Sequence, residues 1–363
     1  MAKELSYQPL TNIGINGLNT QDNPATLDPS WLTKAENVVL RESGRIAFRK
    51  GLKQKVAPSD TAIGSMVEHN DQGTNKIFAS YGTSIYTVDF TSPASAFPSS
   101  GDDVKHTVAD TTGDWQFVNF NDRLHCFHTG VIPQRYDGSL GADSKWTAHA
   151  TDPASISALF DPSCGMGYYG RIWAGGVAEA KDVVYYSNLL DGDDWTGGDT
   201  GLIDLAKVWG TDEIVALAPY FGKLIIFGKN NIVIYDSPDV VGSLALNEVI
   251  RGVGLVSRDT VQAIGDDLVF LSNTGLRSLA RTTEKDKLPL TDLSVNIKDR
   301  LIRNIGQSTD VKSVYVENEG IYILSFVAKN INYVFDFKHI TPNQVPRVTT
   351  WSFDEDREPA SMI

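Results

Sequence analysis

One hairpin-like unit, repeated with variation, limits what this chain can fold into. Residues 218–236 read APYFGKLIIFGKNNIVIYD: an apolar run, a Gly-Lys-Asn-Asn turn, and a second run rich in Ile, Val and Tyr. Turn residues between two β-branched runs mark a β-hairpin. The same phrase returns at 75–90, 119–138, 168–187, 264–279 and 318–337. With Lys76, Arg123, Arg171, Lys223, Asp267 and Gly320 as anchors, the separations are 47, 48, 52, 44 and 53 residues. A period of about 40 to 50 residues built from short strands points to propeller blades rather than helical repeats. A blade cannot cover both of its own faces, so neighbouring blades must stack in a ring.

Each hairpin is preceded by another strand pattern, at 63–69, 114–120, 156–160, 213–220, 259–265 and 311–317. Looser segments such as 105–110, 146–150 and 347–353 supply a fourth, outer strand. The predicted fold is all-β, a β-propeller of about six four-stranded blades over residues 58–363. One stretch breaks the pattern. Residues 292–305, DLSVNIKDRLIRNI, set Leu293, Ile297, Leu301 and Ile302 on one side. That spacing predicts an amphipathic helix opening at Thr291 or Asp292, where the fourth strand of the fifth blade would lie. The end of the chain, EPASMI at 358–363, echoes AIGSMVE at 62–68. It reads either as the first strand of a further blade in a longer protein, or as a closing strand. A closing strand would lend its edge to a segment such as 45–50.

Charge narrows the partners. The chain carries 45 acidic against 32 Lys and Arg residues, for a net charge of −13. Tight nucleic-acid binding needs a clustered basic face, so the balance opposes it, although an acidic wall would let DNA slide past. No stretch approaches the roughly 18 apolar residues of a membrane span, and the N-terminus lacks the apolar core of a secretory signal. Cys126 and Cys164 are too few for a disulfide framework and read as buried thiols.

Signs of chemistry are sparse. Cys126 is flanked by His125 and His128, with Asp122 close by. Strand alternation sends His125 to the face opposite Cys126 and His128, and zinc wants about four ligands, so no metal set is complete. The acidic run 191–194, DGDD, with Asp199 beyond it, has acidic residues near calcium-loop spacing. Gly192 and Gly198 are misplaced for that motif, and Asp191 and Asp193 read as parts of a solvated turn. No nucleophile elbow, phosphate loop or dinucleotide fingerprint occurs, so neither a catalytic residue nor a cofactor is indicated. Paired carboxylates for glycoside hydrolysis need only meet in space, and nothing selects a pair. Trp115, Trp146, Trp173, Trp195, Trp209 and Trp351 recur about once per blade and read as packing.

Residues 1–57 stand outside the repeat as an N-terminal assembly module. Residues 18–31 are turn-rich, 31–37 read as one helical turn, and 38–51 read as a hairpin, VVL-RESG-RIAFRK. Arg41, Arg45, Arg49, Lys50, Lys53 and Lys55 make this the most basic stretch. Either it is a solvated strand face, or Arg41, Arg45, Arg49, Lys50 and Lys53 contact an acidic partner such as a neighbouring copy.

The order of features in this module carries a resemblance. Gly17-Leu18-Asn19, a D-x-P-x-x-L stretch from Asp22 to Leu27, Ala35-Glu36-Asn37, a short strand, a turn at Gly44, and Arg49-Lys50-Gly51 follow one another. That order resembles the opening of tail tube, nozzle, hub or stabilisation proteins of short-tailed, podovirus-type bacteriophages. The resemblance implies a β-propeller after the module and a ring of self-copies, a hexamer, around a central channel. It also implies contacts to adaptor and fibre proteins of the tail, and double-stranded DNA passing without specific binding during ejection. The protein would then reside in the virion after synthesis in the host cytoplasm, and the family supplies no catalytic residues. The alternatives are a carbohydrate- or protein-binding propeller and, third, a propeller glycosidase.

Overall fold

The structure, a computed structural model, describes residues 12–41, 45–51, 63–88, 106–108, 114–141, 144–283, 292–307, 310–353 and 361–362. The chain separates into two compact units, one of residues 1–52 with 262–358 and one of 53–261 with 359–363. The N-terminal module therefore groups with the last blades. The expected closing strand at 358–363 falls almost wholly outside the described residues.

The second unit holds four consecutive blades. The first has strands Ile63–Asp71, Thr74–Tyr81, Ser84–Val88 and His106–Thr107. The second has Gln116–Phe120, Arg123–His128, Val131–Tyr136 and Trp146–Ala148. The third has Cys164–Tyr168, Arg171–Gly175, Val183–Tyr186 and Gly201–Asp204. The fourth has Ile214–Tyr220, Lys223–Gly228, Asn231–Asp236 and Ala245–Arg251. In each sheet the strands pair antiparallel in chain order. Second strands such as Lys223–Gly228 are buried along nearly their whole length, because a blade has a neighbour on each face. The cores lie between blades. Phe78 and Ile85 of the first meet Leu124, Cys126 and Tyr136 of the second. Val118 and Phe127 of the second meet Ile172, Ala174 and Tyr185 of the third. Trp173 and Val184 of the third meet Ile214, Leu224 and Ile226 of the fourth.

One sequence expectation in this unit gives way. The strand expected at 156–160 is irregular, and the third blade opens on Cys164–Tyr168, CGMGY, instead. Its glycines disguise it, and packing requires at least one of them. A Cβ on Gly165 would stand 2.5 Å from Phe127 Cε2 of the second blade.

The first unit contains the fifth and sixth blades. The fifth has three strands, Gln262–Ile264, Asp267–Ser272 and Gly275–Ser278. Its first strand starts later than the expected 259, because Arg258–Thr260 forms a helical turn. In place of a fourth strand, Leu293 N donates to Leu276 O at 2.8 Å, and Leu276 N donates to Ser294 Oγ at 3.0 Å. A 3-10 turn at Val295–Ile297 and a helix at Lys298–Ile305 follow, burying Leu293, Ile297 and Leu301. The helix begins later than 291–292 because Asp292 folds back onto the Ser294 amide, a local bond that competes with helix. The sixth blade has Val311–Val316, Ile321–Phe326, Ile331–Ile340 and Pro346–Trp351.

The edge strand Pro346–Trp351 would expose unpaired backbone groups, and the N-terminal module covers it. Gly17 bridges Val348 and Glu36 bridges Thr350, both in parallel. Leu18 N donates to Val348 O at 2.8 Å, and Asn37 N to Thr350 O at 2.7 Å. The helical turn expected at 31–37 is absent: the segment bends at Trp31, Thr33 and Asn37 and makes isolated bridges from Leu32 to Leu18 and from Glu36 to Thr350. The expected hairpin is present as Val38–Leu40 paired with Ile46–Phe48.

The fold makes one sharp demand on the fourth blade. Ile225 is fully buried, with Ala218 and Ile234 as its cross-strand partners. Ile225→Asp should cost on the order of 3–5 kcal/mol, the penalty for an uncompensated buried charge. Urea unfolding should show the midpoint falling accordingly, and an unchanged midpoint would show that the strand is not interior.

Candidate functional site

Two sequence features weighed separately meet in one buried cluster between the second and third blades. His125 lies on Arg123–His128, directly across from Arg135 on the neighbouring strand. His149 follows the outer strand Trp146–Ala148. Asp193, from the DGDD run, sits in the segment after Val183–Tyr186 and is buried, not solvated. Arg135 forms an ion pair with Asp193 Oδ2. The run now has a residue-by-residue account. Gly192 packs against His125, where a Cβ would stand 2.8 Å from Cε1. Asp193 neutralises Arg135, and Asp194 accepts from the Thr196 and Gly197 amides to close the turn.

The atoms His125 Nδ1, His149 Nε2 and Asp193 Oδ1 stand 3.0, 3.6 and 3.9 Å apart. That is near the spacing of roughly 3.3 Å expected around a tetrahedral ion with bonds of about 2 Å. The hydrogen bonds nevertheless oppose a cation. Trp195 Nε1–H donates to His149 Nδ1 at 3.0 Å, so the proton of the neutral ring sits on Nε2 and is directed at His125 Nδ1. A ligating histidine has the opposite arrangement, its second nitrogen donating outward. The residues form a sealed, directional chain, Trp195 to His149 to His125, beside an arginine–aspartate pair. They tie two blades together.

Both imidazoles resist protonation. Burial, reinforced by Arg135, Arg123 and His69, pushes His125 down to about 3. Burial, with His125 and Arg135, pushes His149 well below its ordinary value. Cys126 and His128 do not join this cluster. Cys126 is buried, its thiol pushed far up by burial. His128 holds the Thr129 carbonyl at 2.6 Å through Nδ1. Cys164 is likewise free and buried, pushed up to about 12.

Exposed apolar side chains occur on outer strands, such as Leu202 and Leu246, and at hairpin tips. Four two-residue turns join first and second strands: Gln72-Gly73, Asn121-Asp122, Tyr169-Gly170 and Phe221-Gly222. All eight residues have positive φ, as a type I′ turn requires. Asn and Gly suit that backbone, whereas an aromatic side chain in it is strained. Tyr169 and Phe221 accept the strain while remaining 45% and 67% exposed. They are neighbours, since the Tyr169 hydroxyl lies 3.6 Å from where a Gly222 Cβ would be. Exposed Leu189 and Leu190 pack over Gly170. Asn121 Nδ2 donates to Leu190 O at 3.0 Å, which brings the second blade's tip alongside. Exposed Asp122, Asp191 and Asp239 border this apolar edge.

The basic residues expected to mediate assembly divide. Arg41, Arg45 and Lys50 are exposed, and Lys53 lies outside the described residues. Arg49 is used within the chain: Nε donates to Asn37 Oδ1 at 2.9 Å, and Nη2 to Ser352 O at 3.0 Å. Its guanidinium lies 4.8 Å from the Phe353 ring centroid and 5.8 Å from that of Trp351.

No protein-family model and no curated protein sequence matches the chain. Solved structures do resemble it. Raptor from Chaetomium thermophilum matches with a TM-score of 0.51 at 12% identity, over 80% of this chain and 25% of that one. The chain therefore spans about a quarter of the Raptor chain. Hsv2 from Kluyveromyces lactis matches over 80% of this chain and 98% of its own, with a TM-score of 0.40 at 11% identity. The extracellular domain of the hybrid two-component system BT4673 from B. thetaiotaomicron gives 0.45 at 12% identity, over 78% of this chain and 35% of that one. At these identities the likeness concerns fold alone: the chain is a β-propeller.

The buried histidines set a pH dependence. Their pKa values are lowered on folding, so below about 6.5 the unfolded chain takes up protons that the folded chain refuses. Stability should therefore decline as pH falls from about 6.5 towards 3. Burial alone would raise Asp71 and Asp137, but bonds from Lys76 and Tyr136, and from Ser139, hold them below the ordinary carboxylate range. Glu36, Glu179 and Glu213, held low by bonds from Lys34, from Ser157 and from Lys229, add to the loss only below about pH 5. Thermal unfolding between pH 7 and 5 isolates the histidines, and the double change His125→Gln, His149→Gln should reduce that slope, leaving the part due to His106 and His128, which burial also lowers.

Proposed function

We propose that this chain is a binding propeller, a non-catalytic scaffold whose output is contact with macromolecular partners. The observation that carries this reading is the pair Tyr169 and Phe221. At equivalent turn positions of consecutive blades, each bears a backbone cost and an exposed apolar surface together. A turn chosen for folding alone would place Asn or Gly there. Departures from local rules that recur at adjacent exposed positions are explained by a partner that covers them. The projecting shape suits a protein surface better than a sugar, which prefers a concave site. The titratable groups that could do chemistry, His125, His149 and Asp193, are instead buried in blade-to-blade bonding.

A narrower reading follows from the module that resembles those of short-tailed phage tail proteins. Of the residues that carry that resemblance, Gly17, Leu18, Ala35, Glu36 and Asn37 bond or bridge the sixth blade, and Arg49 bonds Ser352 just beyond it. In that reading several copies ring a channel, dock adaptor and fibre proteins, and pass double-stranded DNA along an acidic wall.

Each reading has its own test. Tyr169→Asn and Phe221→Asn should each stabilise the isolated protein by about 0.5–1 kcal/mol, through relief of left-handed strain. Destabilisation would show that the aromatics serve the fold and would remove the support for a binding edge. Electron microscopy of the purified protein, with peptide mass spectrometry of virus particles, addresses the tail reading. Annular assemblies and presence in the particle are expected, whereas a strictly monomeric protein absent from particles would rule that form out.

A further inference from the structure

A cleft of about 410 Å³ opens beside the turns Gln72-Gly73 of the first blade and Asn121-Asp122 of the second. Small-molecule sites occupy roughly 300–1,000 Å³. His69 lines the cleft from strand Ile63–Asp71, Asn75 from Thr74–Tyr81, and Asn119 and Phe120 from Gln116–Phe120. One of these groups is buried and unmatched. His69 is 2% exposed. Asn119 Nδ2 donates to Glu68 O at 2.9 Å, so its Oδ1, 2.7 Å from His69 Nδ1, accepts the ring proton. Nε2 is left as a lone pair, and it has no partner. A buried acceptor without a donor is costly, and a hydroxyl reaching it from the cleft would satisfy it.

The other lining groups mix donors with acceptors. Asn75 Nδ2 donates to Glu68 Oε1 at 2.7 Å, which leaves Asn75 Oδ1 and Glu68 Oε2 open as acceptors. Asn70 Oδ1 accepts from Gly73 N at 2.7 Å, which leaves its Nδ2 open as a donor. Asp122 stands exposed at the rim. The carboxylates of Glu68 and Asp122 oppose an anion, and the Arg123 charge is already met by Asp137 at 2.9 Å. A metal ion is opposed too. Among the described residues the set whose ligand atoms converge within 4.8 Å is His125, His149 and Asp193, and Glu68, His69 and Asp122 form no such set. We propose that this cleft binds a neutral polyhydroxylated ligand, a hexose unit. Each hydroxyl both donates and accepts, so one sugar ring answers the amide donor, the carboxylate and amide acceptors and the imidazole lone pair together. Phe120 offers an apolar wall to the C–H face of that ring. The site uses neither Tyr169 nor Phe221, so it stands apart from the reading built on them.

Saturation-transfer NMR on the full chain tests this, with glucose, galactose, mannose, N-acetylglucosamine and N-acetylgalactosamine as separate probes. At least one should bind with a millimolar Kd. Asn75→Ala and Asp122→Gly should each weaken that binding by about fivefold or more, with thermal unfolding confirming an intact fold. Asp122 has positive φ, which Gly adopts freely, so the second change removes the carboxylate and keeps the turn. The double change Tyr169→Asn, Phe221→Asn should leave sugar binding as it is. Silence from all five probes would overturn the proposal. So would sugar signals that survive both cleft variants or vanish with the aromatic turns, or a cleft that takes spermidine and no hexose. Failure here, with the Asn substitutions still stabilising the isolated protein, would leave the broader binding reading in place.

Discussion

A sheet with apolar side chains on both faces must be covered twice, and the rest of this structure answers that requirement. Strand Lys223–Gly228 is the clearest case. Leu224, Ile225, Ile226 and Phe227 alternate sides, yet all four are fully buried. A two-layer sandwich would bury one side and wet the other. Here Leu224 and Ile226 face Trp173 and Val184 of the preceding blade, and the opposite side of the strand is covered as well. The same demand explains Gly165, whose missing side chain admits Phe127 from the blade before it. Stiffness follows within the second unit, because none of its four blades can move without opening a core shared with another.

This demand decided what could be read from sequence. Strands that pair within a hairpin are local, and their alternation and turn chemistry were legible: Lys223–Gly228 with Asn231–Asp236 was evident from its β-branched runs and turn. The outer strands Trp146–Ala148 and Pro346–Trp351 were legible too, since each keeps β-favouring residues. Cys164–Tyr168 was hidden, because its residues were selected by the neighbouring blade rather than by strand propensity. Residues 31–37 misled for a related reason. Their non-helical course follows the bridge from Glu36 to Thr350, more than 300 residues away, and no window around Trp31 contains that partner. The break at 292–305 was visible as a period of 3.6 interrupting a period of 2.

The charge cluster shows the same boundary at the level of chemistry. The register that opposes His125 to Arg135 could be inferred from the hairpin. The arrival of Asp193, His149 and Trp195 could not, since it requires the loop of one blade to close over the next. Once assembled, the cluster has little room for another role. Burial makes the imidazoles poor bases, and a neutral pair linked end to end has a fixed proton order. Adding a proton to either ring breaks a donor–acceptor match inside a medium where an unmatched polar group is costly. The cluster is strong at neutral pH because its only alternatives are expensive.

The contrast between interior and surface then carries the functional argument. Inside the second unit the interior is close-packed, although buried atoms such as His125 Nε2, Arg135 Nε and Asp193 Oδ1 lack a hydrogen-bond partner. On the surface, Phe48, Phe221 and Tyr169 stand in water, two of them on backbone that favours Asn or Gly. Both conditions raise the free energy of the isolated chain, and neither is needed to bury a core. A fold this consistent elsewhere makes isolated carelessness at adjacent blades an unsatisfactory account. Covering that apolar surface would remove the cost, which is why the binding reading is built on these residues.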